Sequence, residues 1–103
     1  MNVRDRGLVI FTGCGHAGIV NIARYVLALT GESRVYGVFG GFHLNGPLYE
    51  PLIDRVCTDL SAMRPSLVVP AHCTGWRAQH ALAAALPDAW LPGSSGSTYR
   101  IAA

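Results

Sequence analysis

Three short apolar runs recur along the chain, each closed by glycine or proline and each followed by a stretch of helical periodicity. Gly7-Leu-Val-Ile-Phe-Thr12 is β-branched and bounded by turn residues, which predicts a buried strand. Ile19, Ile22, Ala23, Tyr25, Val26 and Leu29 fall on one helical face, and Gly31 is placed to stop that helix. Arg34 to Phe39 reads as a second strand. Leu48 to Met63 reads as a second helix, with Leu52, Ile53, Val56, Leu60 and Met63 on one face. Pro47 or Pro51 fits its first turn, and Pro65 ends the segment. Ser66-Leu-Val-Val69 is a third strand. A third helix follows from Trp76 to Leu86, with Thr74 as candidate N-cap. The glycine- and serine-rich 92–97 stretch is a loop, feeding a last short edge strand at Thr98-Tyr-Arg-Ile101. The order is β-α-β-α-β-α-β, an α/β layer architecture in which the first three strands run parallel.

Composition adds one strain to this picture. The chain has 103 residues, one domain's worth, with no internal boundary; half of it is hydrophobic and only 14% is charged. That excludes a disordered chain and leaves less polar surface than a small monomer usually carries. Apolar surface is therefore expected to be hidden against a partner. All the basic residues are arginines, scattered along the chain, with a net charge of +2, which argues against nucleic acid as a partner. No run reaches the ~18 apolar residues of a membrane span, and the start lacks the apolar core of a signal peptide. A cytoplasmic location is expected. Three cysteines at irregular spacing do not form a disulfide framework.

The candidate chemistry is positional. His16 follows the first strand, His43 the second and His72 the third. In an open α/β sheet the carboxyl ends of parallel strands share one edge, where ligands bind. Three histidines plus water make a common catalytic zinc set, and such a cation activates water and polarises a phosphoryl or carbonyl oxygen. Any one histidine by itself is more often a loop or helix residue; the repetition at equivalent places is what carries weight. His80, in mid-helix, is assigned no role. Cys14 and Cys73 adjoin the histidine loops, where thiolate ligation competes with ordinary small-residue packing. Cys57, Trp76, Trp90 and Phe42 read as packing residues. Thr74, Arg77, Ser94 and Ser95 are within reach of the same loops as substrate contacts, against a plainer reading as solvated loop residues.

The motifs Thr12-Gly-Cys-Gly-His-Ala-Gly-Ile-Val-Asn21, Gly40-Gly-Phe-His-Leu44 and Pro70-Ala-His-Cys-Thr-Gly75 resemble the C-terminal half of a metallo-β-lactamase-fold hydrolase. The subgroup they are most similar to is the dihydropterin-ribofuranosylaminobenzene phosphate synthase-like proteins. The resemblance implies that His16 and His72 match histidine ligands of a two-metal site. It places His43 near the position where many relatives carry a bridging aspartate. The N-terminal His-x-His-x-Asp-His run of that family has no counterpart here. On this reading residues 1–103 form one half of an αββα sandwich, and a homodimer would cover the face that the other half covers.

The resulting expectation is a metal-dependent hydrolase of phosphoesters, using zinc or manganese at His16, His43, His72 and Cys73, with Arg77 and Thr74 contacting substrate. Two alternatives stand beside it: a non-catalytic metal-binding or self-assembling module, and a fragment active only with its missing N-terminal half.

Overall fold

The computed structural model describes residues 1–102. One mixed sheet has four strands in chain order: β1 (Asn2–Val3), β2 (Gly7–Thr12), β3 (Val35–Gly41) and β4 (Leu67–Ala71). Helix α1 (Ile19–Thr30) joins β2 to β3, α2 (Ile53–Met63) joins β3 to β4, and α3 (Trp76–Ala85) follows β4. Strands β2, β3 and β4 are parallel, with Phe11 opposite Phe39 and Phe39 opposite Val69. Parallel neighbours require a crossover, and crossovers of one hand that step in one direction leave their helices on one face. Leu8, Ile10, Val38 and Val68 of the sheet accordingly meet Ile19, Ala23, Leu60 and Leu82 of the helices in a single core. Gly31 ends α1 in the left-handed region at φ 74°, its amide bonded to the Leu27 carbonyl at 3.0 Å, as its sequence position predicts.

Four expectations are corrected. The Thr98–Ile101 strand does not form; residues 98–101 have no regular structure. The outer edge of β4 is already taken by Ala89–Leu91, through Val68 N–H to Ala89 O and Leu91 N–H to Val68 O, both 2.9 Å. A strand not foreseen, β1, pairs antiparallel with β2 at the other edge, Asn2 opposite Leu8 and Val3 opposite Gly7. The second helix starts late: Glu50–Leu52 is a 3-10 turn containing Pro51, and Leu48 stands exposed before it. Thr74 does not cap α3; Gly75 occupies that place without a side-chain bond.

The opposite face of the sheet carries Val9, Phe11, Phe39 and Val69 by strand alternation. It is less bare than half a sandwich implies. The C-terminal stretch crosses it, with Tyr99 edge-on to Phe39 at 5.2 Å and Arg6 Nε bonded to the Ala102 carbonyl at 2.8 Å. Phe11, stacked on Phe39 at 5.1 Å, remains 65% exposed. Among the described residues no helix is long and apolar enough to cross a membrane.

Candidate functional site

The three histidine-bearing loops leave the carboxyl ends of β2, β3 and β4 at one edge of the sheet. Two backbone features hold them together. The Gly41 amide donates to the Gly13 carbonyl at 2.8 Å, tying the first loop to the second. The Phe42 amide donates to Thr74 Oγ1 at 3.0 Å, and that hydroxyl donates to the Ala71 carbonyl at 2.8 Å, tying the second loop to the third. Gly40, at φ 126°, runs so close to the Thr12 carbonyl that no side chain fits there.

Within this frame the histidines divide. His16 and His43 stack, ring centroids 4.2 Å apart, and Tyr49 stands edge-on to His43 at 4.5 Å. His72 keeps different company: its ring nitrogen, Cys14 Sγ and Cys73 Sγ all lie within 4.8 Å of one another. His43 and His72 both have non-glycine backbone in the left-handed region, at φ 51° and 26°. Such conformations cost about 1–3 kcal/mol each and persist where surrounding structure enforces them. Cys14 is exposed and Cys73 half-buried, and Cys73 Sγ donates to the Cys14 carbonyl at 3.2 Å. Burial pushes the Cys73 thiol pKa up, while the His43 backbone amide works the other way.

The remaining candidates are placed as follows. Thr74 is fully buried, its hydroxyl engaged by the two loop-tying bonds. Arg77 lies over the Trp76 ring at 5.0 Å and faces Glu50 at 3.7 Å in an exposed ion pair. Ser94 and Ser95 line a cleft of about 410 Å³ shared with His72, Ala71, Phe39 and Tyr99. His80 packs edge-on to Trp76 on α3. Tyr49 joins the site beyond the residues singled out above, and Cys14, weighed there as a thiolate, stands beside His72 and Cys73. For Cys14 the signal was present, since thiols accompany both His16 and His72 in sequence.

The donor set fits a divalent cation. Two sulfurs and an imidazole nitrogen, converging from two loops, are ligands that zinc-class ions accept.

No family model matches the chain. It is 33% identical over 78 residues to a 7,8-dihydropterin-6-methyl-4-(beta-D-ribofuranosyl)-aminobenzene-5'-phosphate synthase of Methanocaldococcus jannaschii, a match covering 76% of this chain and 26% of that one. An uncharacterized protein of the same archaeon is 37% identical over 70 residues, covering 68% and 25% respectively. The chain thus spans about a quarter of the length of these curated relatives. A crystal structure of a metal-dependent hydrolase of the beta-lactamase superfamily superposes with a TM-score of 0.82 at 30% identity, over 96% of this chain and 38% of that one. The chain is homologous to the synthase, and its α/β fold is that of a portion of the hydrolase.

Proposed function

We propose that the chain is a metal-dependent hydrolase of phosphoesters working at the strand-end loops. The observation that carries this is the meeting of His16, His43, His72, Cys14 and Cys73 at one sheet edge. The superfamily of the solved structural neighbour supports it. A divalent cation, zinc or manganese, would supply Lewis-acid polarisation of a phosphoryl oxygen and an activated water. The chain's own residues do the rest. His72 lines the cleft, whose wall also includes Ser94 and Ser95 as hydroxyl donors to a phosphoryl group. His43, wedged between Tyr49 and His16, fixes the orientation of the His16 ring. His16 is exposed and can hand a proton to a leaving oxygen. Arg77 adds positive charge to the same side, moderated by Glu50. Thr74 acts from beneath, by holding the second and third loops in register. The same reading has the chain work as a homodimer in the cytoplasm, with Phe11 at the contact.

The test is turnover of an aryl phosphate with zinc or manganese supplied. Outer-sphere changes alone cost metal sites about 10–100-fold, so His72→Ala should lower turnover by at least ~10-fold. His16→Ala should slow substrates with poor leaving groups more than activated ones. Turnover equal in all the histidine variants would refute the reading. A second reading is favoured by the share of the relatives that the chain spans: it supplies one part of a larger site, and activity then appears only when the remaining part is added in trans.

A further inference from the structure

We infer that the end of the sheet opposite the histidine loops is an anion site, where Arg6, Arg34 and Arg64 take the phosphoryl group of a small molecule. It stands independently of the metal and hydrolase readings above.

The arginines are spread along the sequence, but the fold sorts them. Arg24, Arg55 and Arg77 each face a carboxylate, at 3.8, 4.0 and 3.7 Å. Arg6, Arg34 and Arg64 stand shortly before β2, β3 and β4, one at the amino end of each parallel strand. Those strands are neighbours, so the three side chains line one cleft of about 300 Å³. Backbone contacts fix the frame. The Leu8 amide donates to the Arg34 carbonyl at 2.9 Å, and a Cβ on Gly7 would stand 2.9 Å from the Arg34 Cβ. The Ser66 amide donates to the Tyr36 carbonyl at 2.8 Å, which brings the turn after Arg64 against β3. Among the described residues, Arg34 and Arg64 make neither an ion pair nor a side-chain hydrogen bond. Arg6 is held by its Nε, which donates to the Ala102 carbonyl at 2.8 Å, and its guanidinium lies 5.9 Å from the Tyr36 ring centre. A single carboxylate, Asp5, stands on the cleft wall with these three cations. Like charges gathered in this way repel until an anion joins them. Arg64 adds a sign of its own. It closes α2 at φ 50°, a left-handed position that glycine takes without strain, as Gly31 does at the end of α1.

The donors select the ligand. Planar guanidinium forks pair with the oxygens of carboxylates and phosphates. A phosphoryl dianion has terminal oxygens enough to meet three forks, and a carboxylate does not. The cleft has room for a phosphate with a small organic body. Tyr36 and Met63 offer that body an apolar wall, and Ser66 offers it a hydroxyl.

Calorimetric titration of the full chain in metal-free buffer of low ionic strength tests this, with inorganic phosphate, glucose 6-phosphate and acetate as probes. The expected result is one equivalent of either phosphate bound and no acetate. Amide resonances of Arg34, Tyr36 and Arg64 should move on binding, while those of His16, His43 and His72 stay. Arg34→Gln and Arg64→Gly should each weaken binding about tenfold, and Arg24→Gln should leave it unchanged. Arg64→Gly also relieves the left-handed cap, so its urea midpoint should not fall, which separates lost binding from lost folding. Tighter binding of glucose 6-phosphate identifies an organic phosphate as the ligand, and equal binding identifies the inorganic ion; either result supports the site. No binding of either at millimolar concentration, acetate bound as well as phosphate, or affinity unchanged in both variants would overturn it. So would resonance shifts confined to the histidine loops, or a single-stranded oligonucleotide that binds more tightly than both phosphates and is lost in the same variants.

Discussion

Thr74 shows how one hydroxyl can decide the shape of a site. It is fully buried and stands between the Phe42 amide and the Ala71 carbonyl, so the loops after β3 and β4 share it. Thr74→Val keeps the volume and deletes the hydroxyl, leaving a buried amide without a partner. The expected loss is about 1–3 kcal/mol in a urea melt, with Thr74→Ser recovering most of it. The position of Thr74 beside a helix start reads as a cap from sequence alone, because local spacing shows which backbone amides are near in the chain and not those folded against it. The same limit explains the division of the histidines. His16, His43 and His72 occupy equivalent places after their strands, and that much was legible. Which of them faces which depends on two left-handed backbone positions, His43 and His72, and non-glycine residues give no sequence sign of that conformation.

At the level of elements, periodicity and punctuation carried the parallel strands and all three helices. Their signals are local: β-branched runs between turn residues, and apolar positions at helical spacing. Gly31 is the clearest stop. It closes α1 at φ 74° with open space where a side chain would stand, so Gly31→Ala isolates the conformational cost of the left-handed cap. The expected destabilisation is about 1 kcal/mol, read as a lower urea midpoint with an unchanged slope. What failed was strand assignment at the sheet margins. Thr98–Ile101 has strand-like residues, yet the outer edge of β4 is taken by Ala89–Leu91, nearer in the chain and delivered there by α3. β1 is two residues long and has no periodicity to detect. Edge pairing is settled by what else competes for the edge, which lies outside any local window.

For the molecule as a whole, the second face of the sheet is apolar, and Phe11 is the residue on it that stays largely exposed. The C-terminal stretch covers the β3–β4 side of that face, while Phe11 on β2 stays exposed beside it. If self-association uses this patch, sedimentation at increasing concentration shows a monomer–dimer equilibrium, and Phe11→Ser shifts it toward monomer without loss of helical signal. A chain that sediments as monomer at every concentration would exclude the homodimer. The margins of the sheet carry a different consequence. Ala89–Leu91 seals the β4 edge, but β1 pairs with β2 only as far as Leu8, with Met1 reaching Val9. Among the described residues, no strand pairs with the outer side of Ile10–Thr12. An unpaired stretch of backbone next to an exposed aromatic ring is a template for adding foreign strands. Ile10–Thr12 is therefore where one further strand, brought by another chain, would extend this sheet.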